Sequence, residues 1–278
     1  MKFRLWRRLR TVETQYSKSL NILCDMFEKI AKSCKGNQEE YVSKMNKFQE
    51  SDAFYKYIYT SVNRMVTPLM VGNEKTWREA AKKATKGKKL YRLLMEEIKQ
   101  NNQYVFREQI VENINLIKTL PHDTAEKVVN DIVENALKGK RAKSIEKVIV
   151  DSTNQHSRAS ARLIARTEVS KTTTALTKAR SENLGLNWYI WRTALDGDRV
   201  RKSHRNMEGV IVRWDNPPSP EALIGEKSVG NYHAGNIWNC RCYPEPIIDV
   251  EDVPKHCKVY LNNQIERMSK EKFISQYM

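Results

Sequence analysis

The chain has 278 residues, with 49 Lys and Arg against 33 Asp and Glu, a formal charge of +16, and five cysteines. That length supports one large domain or two modest ones with a sizeable core, and no apolar run approaches the roughly 20 residues of a spanning helix, so stable membrane insertion is not expected. The positive excess suits a polyanionic partner, whether nucleic acid, an acidic protein surface or anionic lipid, and an odd cysteine count without a regular framework argues against a disulfide scaffold and for a reducing site of synthesis.

Residues 1–35 open MKFRLWRRLR, with no acidic residue in the first ten, and set Leu9, Val12, Tyr16, Leu20, Leu23, Phe27, Ile30 and Cys34 at spacings of three and four. This stripe predicts one long helix facing a helical core. The basic start has no apolar h-region, which does not fit a secretory signal. A second helix is expected over 38–66, stopped or kinked at Thr67-Pro68, followed by a loop at Gly72-Asn73 and a third helix from near Glu74. Lys82, Lys83, Lys86, Lys88 and Lys89 then crowd around Gly87, while Arg7 and Arg8 near the start and Lys140, Arg141 and Lys143 after Gly139 form further basic clusters. They read either as solvated helix faces or as contacts to DNA phosphates or an acidic protein surface, without base specificity. Helices are expected over 90–98, 104–120 and 124–137, with Pro121 separating the last two, and again over 144–155.

The distinctive polar side chains concentrate between Ala161 and Cys242. A helix is expected over 157–184, free of Pro and Gly, with a loose apolar stripe and with Gly185 as a left-handed C-cap. Arg166 and Glu168 on it are two apart and do not face each other; they are ordinary surface charges, or each is buried and takes a partner from elsewhere. Residues 187–193, NWYIWRT, are rich in aromatic and β-branched side chains and predict a strand with Trp188, Ile190 and Arg192 on one face and Tyr189, Trp191 and Thr193 on the other. A turn follows at Leu195-Asp196-Gly197-Asp198, and Asp198 can cap a short helix carrying Arg199, Arg201 and His204. Gly209 breaks that helix, VIVRW predicts a second strand, and a Pro- and Gly-rich irregular segment leads to Asn239-Cys240-Arg241-Cys242. On a strand, Cys240 and Cys242 would share one face with Arg241 on the other. With His204 and His233 upstream, they make two imidazoles and two thiols, a donor set suited to tetrahedral zinc. The same four also read as two small buried hydrophobes and two unrelated histidines. Beyond Pro246 the tail reads as an acidic turn with one or two amphipathic helices.

In their order, these motifs resemble the phage head morphogenesis family, the family of the phage Mu F protein. The resemblance spans 157–246 and rests on Ala165, Arg166, Thr167 and Glu168; on Asp198, Arg199, Arg201 and His204; on Gly209; and on Asn239, Cys240, Arg241 and Cys242. His233 stands where many members carry a His shortly before the CRC, although AGNIW separates it from Asn239 here where others often have a shorter His-Pro approach. The resemblance implies a minor head (minor capsid) protein of the virion, made in the host cytoplasm and acting in head morphogenesis near the portal vertex. Its partners would be portal, scaffold or major capsid protein, with non-specific charge contacts to packaged or ejected DNA, and no established enzymatic activity comes with it. It adds weight to the reading of His204, His233, Cys240 and Cys242 as the ligands of one structural zinc ion, and it makes Arg166, Glu168, Asp198, Arg199 and Arg201 a structural polar motif.

A second reading from a different class is a metal-dependent nuclease or toxin-like enzyme using Asp196, Asp198, His204 and His233 as acid, base or metal ligands. Against it, the sequence has no paired-carboxylate motif, no H-x-E followed by C-x-x-C and no Gly-rich phosphate loop. The expected fold is α+β. An elongated N-terminal helical region over 1–150 precedes a small domain over 151–248, with one long helix packed on a short, mostly antiparallel sheet, and a C-terminal helical tail over 249–278. A small sheet with long loops has little core of its own, and a zinc clip between the His204 turn and the Cys240 segment would offset that deficit.

Overall fold

The computed structural model describes residues 5–6, 10–84, 87–100, 102–137, 145–194 and 200–278. The fold is α+β, and the chain divides into two compact units that are not contiguous in sequence. Among the described residues no helix is long and apolar enough to cross a membrane.

One unit, Arg10–Thr67 with Glu108–Glu168, is helical. Helix α1 (Arg10–Ser33) buries Val12, Tyr16, Leu20, Leu23 and Phe27, the stripe expected from their spacing. Helix α2 (Gln38–Gln49) starts at Asn37, whose side chain accepts from the Glu40 N–H, and packs on α1 and on α6 (Leu120–Leu137). The second helix expected over 38–66 is two helices, α2 and α3 (Asp52–Lys83). The Ser51 hydroxyl makes the break: it donates to the Phe48 carbonyl and accepts from the Phe54 N–H, ending one helix and capping the next. Conversely, α3 runs through Pro68 and through Gly72-Asn73, where a stop and a loop were expected. Burial of Val66, Leu69 and Trp77 on either side offsets the hydrogen bond that proline forfeits. Helix α5 (Asn102–Lys118) follows α4 (Gly87–Gln100), and Pro121 sits in the first turn of α6, where its missing N–H costs nothing.

Helix α7 (Ile145–Asn183) begins in this unit. Its buried positions Ile149, Thr153, Ser157, Ala161 and Ala165 recur every four residues and are mostly small. Tyr41 meets Thr153 hydroxyl to hydroxyl at 2.8 Å, and Thr153 also donates to the Ile149 carbonyl.

The other unit comprises Pro68–Arg107, Val169–Met278 and the described residues of Met1–Leu9. The end of α7 closes in a Schellman motif: Gly185 has φ +69, Leu186 N–H reaches the Ser181 carbonyl at 2.8 Å, and Gly185 N–H reaches Glu182. A five-stranded sheet follows, built from β1 (Trp188–Arg192), β2 (Val210–Arg213), β3 (Tyr243–Pro246), β4 (His256–Leu261) and β5 (Gln264–Ser269) in the order β3-β1-β2-β4-β5. Three neighbouring pairs are antiparallel, and β2 with β4 is parallel. Pro244 and Pro246 cannot donate to a ladder, which suits β3 to its place at an edge.

Residues 249–278, expected as a helical tail, contribute β4, β5 and only one α-helix, α9 (Lys270–Tyr277). The β4–β5 hairpin turns on Asn262 and Asn263, both at positive φ, as a two-residue turn matched to strand twist requires. The sheet is buried on both faces. Tyr189, Trp191, Val210, Val212 and Trp214 form one core with Tyr232, Cys240 and Cys242; Trp188, Ile190, Ile211, Val259, Met268 and Phe273 form the other. The alternation along β1 is the one its sequence predicts.

Candidate metal centre

The site is assembled from three pieces of chain on the Trp191 face of the sheet. The first is α8 (Lys202–Asn206), a short helix carrying Ser203 and His204. Its N-cap is Arg201, not Asp198, and no side chain caps it. The second is the Pro-rich segment between β2 and β3, including a 3-10 turn at Ala222–Ile224 beside Glu221. The third holds Cys240 and Cys242. These lie ahead of β3, not on a strand, so a local bend rather than a pleat brings both sulfurs to one side. Asn239, at φ +56, begins that bend.

Two side chains of α7 fix these irregular segments. The Ser170 hydroxyl donates to the Cys240 carbonyl at 2.9 Å, and the Thr174 hydroxyl donates to the Ala234 carbonyl at 2.7 Å. They stand four apart on one helix face. Gly235 crosses this face at φ +87, where a Cβ would lie 2.6 Å from the Thr174 hydroxyl and 2.8 Å from the Cys242 carbonyl. Only glycine fits that approach.

Among the described residues, His204, Cys240 and Cys242 form a group whose ligand atoms lie within 4.8 Å of one another, and all three are buried. His204 Nδ1 is 3.5 Å from Cys240 Sγ and 3.4 Å from Cys242 Sγ. On its far side, His204 Nε2 meets the Tyr232 hydroxyl at 3.0 Å, and that hydroxyl donates to both Glu221 oxygens at 2.7 and 2.8 Å. Glu221 also accepts from Ser203 at 3.1 Å. The Tyr232 proton is thus committed to the carboxylate, so its oxygen accepts from His204 Nε2–H. A neutral imidazole has one N–H, and Nδ1 therefore presents a bare lone pair to the two sulfurs. Burial and the Glu221 charge push the Tyr232 hydroxyl far above its ordinary range. The hydrogen bond from Cys242 holds the Cys240 thiol well below the usual range; the same bond, together with burial, pushes Cys242 up.

His233 is not in this group. Its Nδ1 is 3.1 Å from the Tyr189 hydroxyl, its ring stands edge-on to Trp214, and it also bonds the Trp214 backbone. Burial, with the charge of Lys178 adding, lowers its pKa to about 4.

Other expected positions fall elsewhere. Arg166 pairs with Glu13 at 3.5 Å, while Glu168 is buried beside Tyr16, whose hydroxyl is pushed up by burial and by that carboxylate. Arg201 lies over the exposed Trp238 ring and donates to its carbonyl. Lys82 and Lys83 are exposed at the end of α3. Lys88 and Lys89 belong to α4, but their side chains lie outside the described residues, as do Arg7, Arg8, Lys86, Lys140, Arg141, Lys143, Asp196, Asp198 and Arg199. Glu221, Tyr232, Ser170 and Thr174 were not singled out from sequence. For the last two, the signal was a run of hydroxyl residues at helical spacing.

Residues 126–244 match the family described as Phage Mu protein F like protein. A Haemophilus influenzae protein described as an uncharacterized protein is 32% identical over 160 residues, which is 57% of this chain and 33% of that protein. The chain thus spans about a third of the length of this relative. No solved structure matches it significantly.

Proposed function

We propose that this protein, whose segment 126–244 is of the Phage Mu protein F like family, is a bacteriophage minor head protein that acts in head morphogenesis near the portal vertex. The observation that carries this reading is the extent of the match, which takes in Arg166-Thr167-Glu168, His204, Cys240 and Cys242 within one segment. The use of the polar groups supports it too. His204 Nε2, Tyr232, Glu221 and Ser203 are buried and hydrogen-bonded in one network, an arrangement that holds irregular chain together. A formal charge of +16 suits non-specific contacts to DNA phosphates, or to an acidic surface of portal, scaffold or major capsid protein.

The test is quantitative mass spectrometry of purified phage particles and of DNA-free precursor heads from one lysate. A few copies per particle in both is the expected result, since a protein acting in morphogenesis enters before packaging. Absence from both would overturn the reading.

A further inference from the structure

We propose that His204 Nδ1, Cys240 Sγ and Cys242 Sγ are the three protein ligands of a zinc ion that ties α8 to the segment entering β3, with His233 outside the ligand set. The inference does not depend on the phage reading.

Four observations carry it. First, the spacing is that of ligands around one metal: with Zn–S near 2.3 Å and Zn–N near 2.0–2.1 Å, a tetrahedral angle separates nitrogen from sulfur by about 3.5 Å, and the observed separations are 3.5 and 3.4 Å. Second, the tautomer is right. The Tyr232–Glu221 relay takes the Nε2 proton and leaves Nδ1 free to bind, and a carboxylate-backed outer partner of this kind orients a metal-bound imidazole and raises its basicity. Third, Cys240 Sγ faces an N–H donor suited to a thiolate. The Cys242 backbone N–H points to Cys240 Sγ at 3.4 Å. Fourth, the charges balance: two thiolates and a neutral imidazole offset a divalent ion in a site where an unpaired charge would be costly.

His233 differs on the same criteria. It is held by Tyr189 and the Trp214 backbone on another side of the aromatic core. The fourth corner of the tetrahedron is left to a ligand outside this set.

The test uses the full chain purified from zinc-supplemented culture. Elemental analysis is expected to find about one zinc per chain. X-ray absorption at the zinc edge of the wild-type protein should show two sulfurs near 2.3 Å and one imidazole among the lighter ligands near 2.0 Å. The paired substitutions Cys240→Ser and Cys242→Ser should abolish bound zinc, and His233→Gln should retain it in full. Folded wild-type protein that takes up no zinc overturns the proposal, as does a shell with two imidazoles or without sulfur. Because the absorption measurement needs no variant, it decides the matter even if the cysteine substitutions prevent folding.

Discussion

His233 is buried and held by the Tyr189 hydroxyl, outside the group that His204, Cys240 and Cys242 form. Its pKa is lowered to about 4 by burial, against an ordinary value near 6.5. Between those values the unfolded chain takes a proton that the folded chain refuses, so stability is full above pH 6.5 and falls as pH drops toward 4. The loss is on the order of 3 kcal/mol. Urea titrations at pH 7 and pH 4.5 should show it in the wild type, and the difference should shrink in His233→Gln; an unchanged difference would contradict the assignment. The four donors His204, His233, Cys240 and Cys242 were legible as types. Which three meet was not, because the neighbours that sort them, Tyr232 and Glu221, sit in a Pro- and Gly-rich segment whose path has no periodicity to read. The sorting is done by hydrogen bonds: Tyr232 claims one histidine and Tyr189 the other.

At the scale of elements, periodic segments were legible and aperiodic or short ones were not. The apolar stripe of α1 and the two-faced alternation of β1 follow from spacing alone. Helix α7 reads only as a loose stripe because its buried face is built from Ser, Thr and Ala, which carry little hydropathy yet pack closely. Gly72-Asn73 looked like a loop because Asn favours turns, but the Asn73 amide donates to Thr177 and its carbonyl oxygen accepts from the buried Arg180. Tertiary partners outweighed local preference. The clearest correction is the segment after residue 248, where Asn262-Asn263 marked a hairpin within a stretch read as helix. Truncation after Ile248 tests its role. It removes Val259, Met268 and Phe273 from the core that covers Trp188, Ile190 and Ile211. Each isoleucine alone stands to lose about 1.5–3 kcal/mol of burial. Several such losses approach a whole domain's margin of about 5–15 kcal/mol. The truncated chain should lose its near-UV circular dichroism and its soluble yield, whereas a dispensable tail would leave both unchanged.

For the whole molecule, the expected boundaries near 150 and 248 follow sequence order, whereas the compact units draw on separated stretches, with Pro68–Arg107 grouped with Val169–Met278. Pairing between distant stretches leaves no mark in composition, so this organisation was not legible. The charge was. If Lys82, Lys83, Lys88 and Lys89 contact phosphates, replacing all four with Gln should lower the slope of log affinity for duplex DNA against log salt by about 3–4, measured by fluorescence anisotropy. An unchanged slope would assign these lysines to a protein partner or to solvent. The sheet order also has a kinetic side. Strand β2 can form a hairpin with β1 early, but its other neighbour is β4, and Val210 pairs with Lys258 only after 47 intervening residues have been made. Until then, one edge of a Val- and Ile-rich strand has no partner on a nascent chain that is still being synthesised. An open apolar edge is a template for pairing with other chains. Elongation pauses ahead of residue 256 should therefore favour aggregation, and the hairpin turning on Asn262-Asn263 acts as the fold's latch.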